Sequence, residues 1–304
     1  MLLSLYRRLA EKWRMGLLPS LTPSGCHDYI RMYRLRVDEC KQVTVQGKRY
    51  DATLLFRNKL YVNSLLSYAG LPVCEDLGTI EAGEVRTLDG KPTDLHLLFR
   101  SRGGGVFVKP VMGSGGRGCA LLRSADDPRV AEYLASSGSY LVQRPLEQEE
   151  VMSALYPASI NTVRIVTVSR GQAGPVPYCA VLRVGCGGSS TDNWTSGGLV
   201  ANLDVQGGRV VSPAFRKRPF QFLERHPDSG QRIEGFEVPR FNEMVDVATR
   251  AHRLFPFASS LGWDLACVRT GVVIIEVNND WGANVHRIFD KSFDRHFLTA
   301  VESS

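Results

Sequence analysis

Apolar residues recur at helical spacing at the start of the chain: Leu2, Leu5, Leu9 and Trp13, with Arg7, Arg8, Glu11 and Lys12 on the other side. The pattern predicts an amphipathic helix, either packed on the body of the protein or resting weakly on a membrane surface. Pro19, Pro23, Ser24 and Gly25 interrupt it. A second helix is expected from His27 to about Cys40, so residues 1–50 are expected to be mostly helical. Helical periodicity returns over 54–70 and stops at Gly70, with Pro72 behind it. Residues 73–98 predict a strand, a turn at Asp89-Gly90 and a helix after Pro92.

Further on, the pattern shifts towards strands. A β-branched run, Val106 to Val108, leads through Lys109 into a glycine-rich loop and a second apolar run, Cys119 to Leu122, which predicts a hairpin. Helices are expected at Asp126–Ser137, Gln148–Leu155 and Glu243–Leu254, and in the tail from Phe289 to Val301. Strands are expected at Ser139–Gln143, Thr162–Val168, Val176–Val184, Gly198–Val205 and Arg209–Ser212, with Gly207-Gly208 as a hairpin turn. Two last strands, Trp263–Arg269 and Val272–Val277, turn at Thr270-Gly271. The sum is an α+β chain with mainly antiparallel strands after residue 100. A Rossmann domain is not indicated, because the glycine loop precedes a strand rather than opening a helix.

Composition narrows the partners. The 304 residues suit about two domains, and 43% hydrophobic with 22% charged residues excludes disorder over most of the chain. Net charge is 37 − 31 = +6, which fits an anionic ligand. A long basic stripe interleaved with aromatics is missing, so nucleic acid is not the expected partner. Seven cysteines, an odd number with no C-x-x-C, support neither a disulfide framework nor a zinc ribbon, and a reducing cytosol is the simplest compartment. No apolar run approaches 18 residues, so no membrane-spanning helix and no stable insertion are expected.

Two stretches carry candidate chemistry. In FVKPVMGSGGRG, the backbone of Gly113, Ser114, Gly115, Gly116 and Gly118 can fold closely over phosphates, with Ser114 and Arg117 as extra donors. Lys109 on the preceding strand can set a point charge beside them; the alternative is a flexible turn. In WDLACVRTGVVIIEVN, Glu276 and Asn278 share a strand face by period two, and a hairpin sets Asp264 opposite. Two carboxylates and an amide oxygen suit Mg²⁺; the alternative is a surface hairpin with solvated acids.

Taken together, these stretches resemble the ATP-grasp superfamily, and SINTVRIVTV with TDNWTSGGLVANLD is similar to its sugar-transfer-associated group. The resemblance covers roughly residues 50–290. It implies two α+β subdomains gripping ATP, with a helical N-terminal extension at 1–50, an N-terminal and central subdomain with the glycine-rich loop at 51–145, and a C-terminal subdomain with the metal site at 146–304. FRNKLYVNSLLSYAGLP gives Lys59 as the first ATP lysine, with Asn58 where the family often has Asp. YLVQRPLEQEE resembles the hinge around adenine and ribose, with Gln143, Arg144 and Leu146 at the base and Glu147 or Gln148 at the ribose. Asp264, Glu276 and Asn278 would hold one or two Mg²⁺ ions.

Arg164, a lone arginine between valine and isoleucine, needs an anionic partner. It would clamp the γ-phosphate or a substrate carboxylate, or form a structural ion pair. Asn161 orients a turn or lines the site. Asp192 and Asn193 belong to a loop at the site's mouth or to an ordinary loop. Asp280, His286 and Arg287 face the acceptor or serve the fold. The tract 215–227, FRKRPFQFLERHP, would cover ATP, engage an anionic partner, or be a solvated charge run.

The activity implied is an ATP- and Mg²⁺-dependent ligase that joins a small-molecule carboxylate to an amine through an acylphosphate, in a cytoplasmic setting of glycan or natural-product tailoring. A kinase acting on a sugar hydroxyl, or a nucleotide-binding module without turnover, would use the same ATP site.

Overall fold

The computed structural model describes residues 23–302, except 101–104, 114 and 170–172. The helix expected over the first 18 residues, with its membrane-surface alternative, lies outside the described residues, as does Ser114. The first described helix, Pro23–Tyr33, begins before His27 and runs on through a wider π turn, Arg34–Asp38, to Lys41. Residues 42–50, the end of a stretch expected to be mostly helical, form a hairpin of β1 (Val43–Val45) and β2 (Lys48–Tyr50). Gln46 and Gly47 both take positive φ, 49° and 76°, which closes a two-residue turn between β-branched and extended segments.

The helix expected over 54–70 is two helices, Thr53–Arg57 and Lys59–Tyr68. Asn58 breaks it with an extended backbone, and its Oδ1 accepts from the Tyr61 N–H at 3.1 Å. An asparagine N-cap of this kind offsets the loss of continuous helix, and it leaves Lys59 as the first residue of a new one.

A five-stranded sheet comes next: β3 (Asp76–Glu81), β4 (Glu84–Arg86), β5 (Val106–Pro110), β6 (Ala120–Leu122) and β7 (Ser139–Gln143), in the order β4-β3-β7-β5-β6. Every pair is antiparallel. β4 was not expected; a tight turn at Ala82-Gly83, both at positive φ, folds it back on β3. Ile80, Val106, Val108, Leu122 and Val142 form the core beneath the helices Leu95–Arg100 and Pro128–Ala135.

The second sheet has seven antiparallel strands: β8 (Thr162–Ser169), β9 (Pro175–Val184), β10 (Leu199–Leu203), β11 (Ala214–Lys217), β12 (Phe220–Leu223), β13 (Ser260–Val268) and β14 (Gly271–Asn278). Their order is β12-β11-β10-β9-β8-β13-β14. No strand forms at Arg209–Ser212, where only single bridges join Val210 to Leu203 and Arg209 to Glu237. The tract 215–227 instead supplies most of the β11–β12 hairpin at the sheet's edge, with Phe215 fully buried.

The helix Phe241–His252 packs on one face of this sheet through Met244, Val247, Ala248 and Ala251. On the other face the helix Phe293–Glu302 meets Met32 and Trp281. The tail helix expected from Phe289 to Val301 runs from Phe293 to Glu302, and a short helix, His286–Phe289, precedes it. Covered on both faces, β13 is buried at all nine positions, which explains its near-continuous apolar sequence. Its one charge, Asp264, therefore needs partners. Among the described residues no helix is long and apolar enough to cross a membrane.

Three histidines are buried among the described residues: His226, His252 and His286. Burial pushes His252 down to about 4 although its Nε2 bonds the Ala258 carbonyl. Burial, with Arg164, Arg36 and Arg287 nearby, pushes His286 down to about 3. Both are neutral when folded and protonate near 6.5 once unfolded. Their contribution is thus complete above pH ~6.5 and is lost as pH falls, at ~1.4 kcal/mol per pH unit each. Urea unfolding is expected to show stability declining between pH 6.5 and 4.5, with a shallower decline in His252→Gln. Equal slopes in the two proteins would refute the assignment.

Candidate active site

A cavity of about 450 Å³ opens between the two sheets. Its floor comes from strand register. Arg164 on β8 lies directly across from Asp264 on β13, which lies across from Glu276 on β14. Asn278 follows two positions along, opposite Gly262. A row of charged and polar side chains therefore crosses three neighbouring strands on one face, and all four residues line the cavity.

The opposite wall comes from the five-stranded sheet. Lys109, 5% exposed on β5, and Gln143 at the end of β7 both line it. Gln143 Nε2 donates to Asp76 Oδ1 at 2.6 Å, and Asn63 Nδ2 donates to Asp76 Oδ2 at 2.6 Å. Gly113, Gly115 and Gly116 line the cavity as well. Gly118 does not; its carbonyl accepts from Tyr133 Oη at 3.0 Å and anchors the loop's root. Lys59 reaches in from its helix start, donating to the Gly113 carbonyl at 2.6 Å and standing 3.7 Å from Glu276 Oε1.

The centre of the floor is a buried network of four charges. Arg164 grips Asp264 bidentately, Nε to Oδ1 and Nη2 to Oδ2, both at 2.6 Å. Arg183 Nη1 adds a third bond to Asp264 at 2.7 Å, and its Nη2 reaches Asp192 at 3.0 Å. Thr162 Oγ1 donates to the other oxygen of Asp192. Burial pushes the Asp264 carboxyl up, but Arg164 and Arg183 more than offset it and hold it below the usual carboxylate range. Asp192 stays above that range, because burial and the Asp264 charge outweigh Arg183.

Several expected site residues lie elsewhere. Arg144 and Leu146 line the cavity, although the Arg144 N–H is already bonded to the Glu75 carbonyl. Neither ribose candidate lines it. Glu147 is solvent-exposed, 3.8 Å from Arg269, and Gln148 turns inward, its Oε1 accepting from the Asn161 N–H at 2.5 Å. Asn161 is fully buried and bonds the carbonyls of Met152 and Tyr156 and the N–H of Gly185, so it holds a turn rather than facing a ligand. Arg287 is buried against Asp294 and Tyr29, and His286 against Phe293; neither faces the cavity. Asp192, Asn193 and Asp280 do line it, Asp280 paired with Arg36 at 3.0 Å.

Sequence reasoning missed Arg183 altogether. It interrupts the apolar run Ala180–Val184, the same signal that singled out Arg164. Asp76 and Arg36 carried no such signal, because each is one charge among several in its segment.

The two walls also touch through a loop. Asn193 Nδ2 donates to the Gly115 carbonyl at 2.7 Å. A Cβ on Gly116, whose φ is +69°, would come within 3.0 Å of Thr191. Only glycine allows this approach without strain. One neutral hydrogen bond contributes ~0.5–1.5 kcal/mol, so Asn193→Ala is expected to weaken ATP binding about two- to tenfold, with a modest fall in melting temperature because Asn193 Oδ1 also accepts from the Thr195 N–H and Oγ1. Unchanged affinity by titration calorimetry would show that the contact does not bear on the nucleotide.

The donor set also bears on a metal. Glu276 presents a carboxylate to the cavity, and the Asn278 Nδ2 is buried with no hydrogen-bond partner among the described residues. The Glu276 carboxylate and the Asn278 amide oxygen, not its donor nitrogen, are hard groups that fit Mg²⁺. Asp264 offers only the lone pairs that the three guanidinium bonds leave, so it is first of all the anchor of Arg164 and Arg183.

The model of a family described as sugar-transfer associated ATP-grasp matches residues 133–303. No curated protein matches the chain. Among solved structures, N5-carboxyaminoimidazole synthase from Aspergillus clavatus, in complex with ADP and 5-aminoimidazole ribonucleotide, is 13% identical, with a TM-score of 0.50 over 84% of this chain and 53% of that one. The Staphylococcus aureus synthetase complexed with ADP is 10% identical, with a TM-score of 0.48 over 81% and 51%. The ATP-grasp ligase PsnB, complexed with a minimal precursor, Mg and ADP, is 17% identical, with a TM-score of 0.41 over 75% and 51%. The chain spans about half the length of these proteins, and the likeness is one of fold.

Proposed function

This chain belongs to the sugar-transfer associated ATP-grasp family, and on that footing we propose that it is an ATP- and Mg²⁺-dependent ligase joining a small-molecule carboxylate to an amine. One observation carries this reading: a single cavity brings Lys59, Lys109 and the glycine loop on one wall to face Arg164, Glu276 and Asn278 on the other.

In this reading the glycine-loop N–H groups and the two lysines neutralise the triphosphate. The stretch Gln143–Leu146 borders the base. Glu276 and Asn278 would hold magnesium, which supplies charge neutralisation at the phosphates when bound. Arg164, oriented by Asp264, binds the acid substrate or the γ-phosphate. The chain's task is to align a carboxylate oxygen with the γ-phosphorus. The oxygen–phosphorus bond forms as the bond to the ADP oxygen breaks. The amine then attacks the acyl carbon, phosphate leaves, and the nitrogen gives up a proton.

The test is ATP consumption with Mg²⁺ against a pool of carboxylates, amino acids and amines, with hydroxylamine added as the trap. ADP together with hydroxamate supports carboxylate activation, and dividing the pool then finds the acid. ADP with a phosphorylated hydroxyl product and no hydroxamate overturns the ligase reading in favour of a kinase.

A further inference from the structure

Away from the nucleotide cavity, three potential metal ligands converge where β9 ends. The Sγ of Cys186, one imidazole nitrogen of His226 and one carboxylate oxygen of Asp228 all lie within 4.8 Å of one another. They come from two separate stretches. Cys186 stands just before the Gly187-Gly188 pair after β9, and His226 and Asp228 belong to the turn that follows β12.

The local bonding suits coordination. Cys186 and His226 are 8% and 1% exposed. His226 Nε2 lies 2.7 Å from the Gly185 carbonyl. A carbonyl only accepts, so Nε2 carries the proton and Nδ1 presents a lone pair. A carbonyl that fixes the tautomer from behind is the usual outer support of a metal-binding histidine. Among the described residues Nδ1 is met only by the N–H groups of Asp228 and Ser229, both at 3.3 Å, which is beyond the usual range for a strong N–H bond. Asp228 Oδ2 accepts from the Gly187 N–H at 2.6 Å and ties the two stretches together.

The geometry points to a zinc-type divalent cation held by Cys186 Sγ, His226 Nδ1 and Asp228. Zinc bonds of ~2.0–2.3 Å set tetrahedral donors about 3.4–3.8 Å apart, so the three groups need to close by about 1 Å. On binding, the Cys186 thiol releases its proton to solvent and forms the sulfur–metal bond. Thiolate and carboxylate then balance the ion's two charges, and the nearby Arg216 guanidinium offsets part of the burial that disfavours the free thiolate. A fourth position stays open to water. The ion would join the 185–188 turn to the 226–230 turn. It would thereby fix the base of the loop whose Asn193 touches the glycine loop.

The experiment is titration of the full-length protein, stripped with a chelator, with Co²⁺ alone. One equivalent with a near-ultraviolet thiolate-to-cobalt absorption band is expected. The band is expected to vanish in Cys186→Ser and to persist in Glu276→Gln, which keeps this site distinct from the magnesium residues. Asp228→Asn, on an exposed turn where folding is not at risk, is expected to weaken Co²⁺ binding by about tenfold or more. Cobalt binding without a sulfur band, an undiminished band in Cys186→Ser, or unchanged affinity in Asp228→Asn would each overturn the assignment.

Discussion

Glu276→Gln is expected to lower Mg²⁺-dependent ATP turnover by about a thousandfold or more while the protein stays folded. The substitution keeps shape and removes one charge. Glu276 is only part-buried, and its protein charge partner is Lys59 at 3.7 Å. Lys59 keeps its separate bond to the Gly113 carbonyl. A partly exposed pair of this length contributes ~1 kcal/mol or less to stability. Loss of a group that stabilises charge in the transition state costs far more, since a thousandfold corresponds to ~4 kcal/mol. Turnover against Mg²⁺ concentration, alongside thermal unfolding, checks both halves. Near-normal turnover would remove Glu276 from the metal site.

Asp264→Asn is expected to behave differently and to damage fold and activity together. Its carboxylate, itself buried, carries three bonds from two largely buried guanidiniums. Removing one partner of a buried charge network leaves uncompensated charge and costs ~3–5 kcal/mol. With Asp264 neutral, Asp192 alone remains to balance Arg183, and Arg164 loses the bidentate grip that orients it. Urea unfolding of the single variant measures the loss. The double variant Asp264→Asn/Arg183→Met is expected to recover part of the stability and none of the turnover. A loss under about 1 kcal/mol would show that the arginines are not held as the register implies.

The contrast between these two acids explains what the sequence made visible. Asp264, Glu276 and Asn278 were recognisable because a two-strand hairpin has a simple register, and charges within an apolar run stand out. Arg164 and Lys109 stood out in the same way. Residues whose roles depend on the third dimension did not. Asn161 and Gln148 look like ligand-facing polar groups, yet they satisfy buried backbone groups in a turn. Glu147 sits beside a hinge residue in sequence but faces solvent. The helix over 54–70 kept its periodicity in the sequence, yet Asn58 gains a cap and a bridge to Met112 by breaking it. The strand expected at Arg209–Ser212 moved to 214–223, where aromatic side chains could stack and Phe215 could be buried.

β14 carries Glu276 and Asn278, and it is the last strand of its sheet. Its inner amides are held by β13. On its outer side the Ile274 N–H is donated to the Pro72 carbonyl at 2.8 Å, where the chain is about to enter the other sheet. That amide is held by a single bridge from residues 72–73, whose neighbours Leu71 and Val73 pack in the same core as β14, rather than by a ladder. Deuterium uptake at Ile274, compared with its ladder-bonded neighbours, would therefore report how often this connection lets go of the edge strand that carries Glu276. A bound nucleotide that steadies the edge strand is expected to slow exchange at this position.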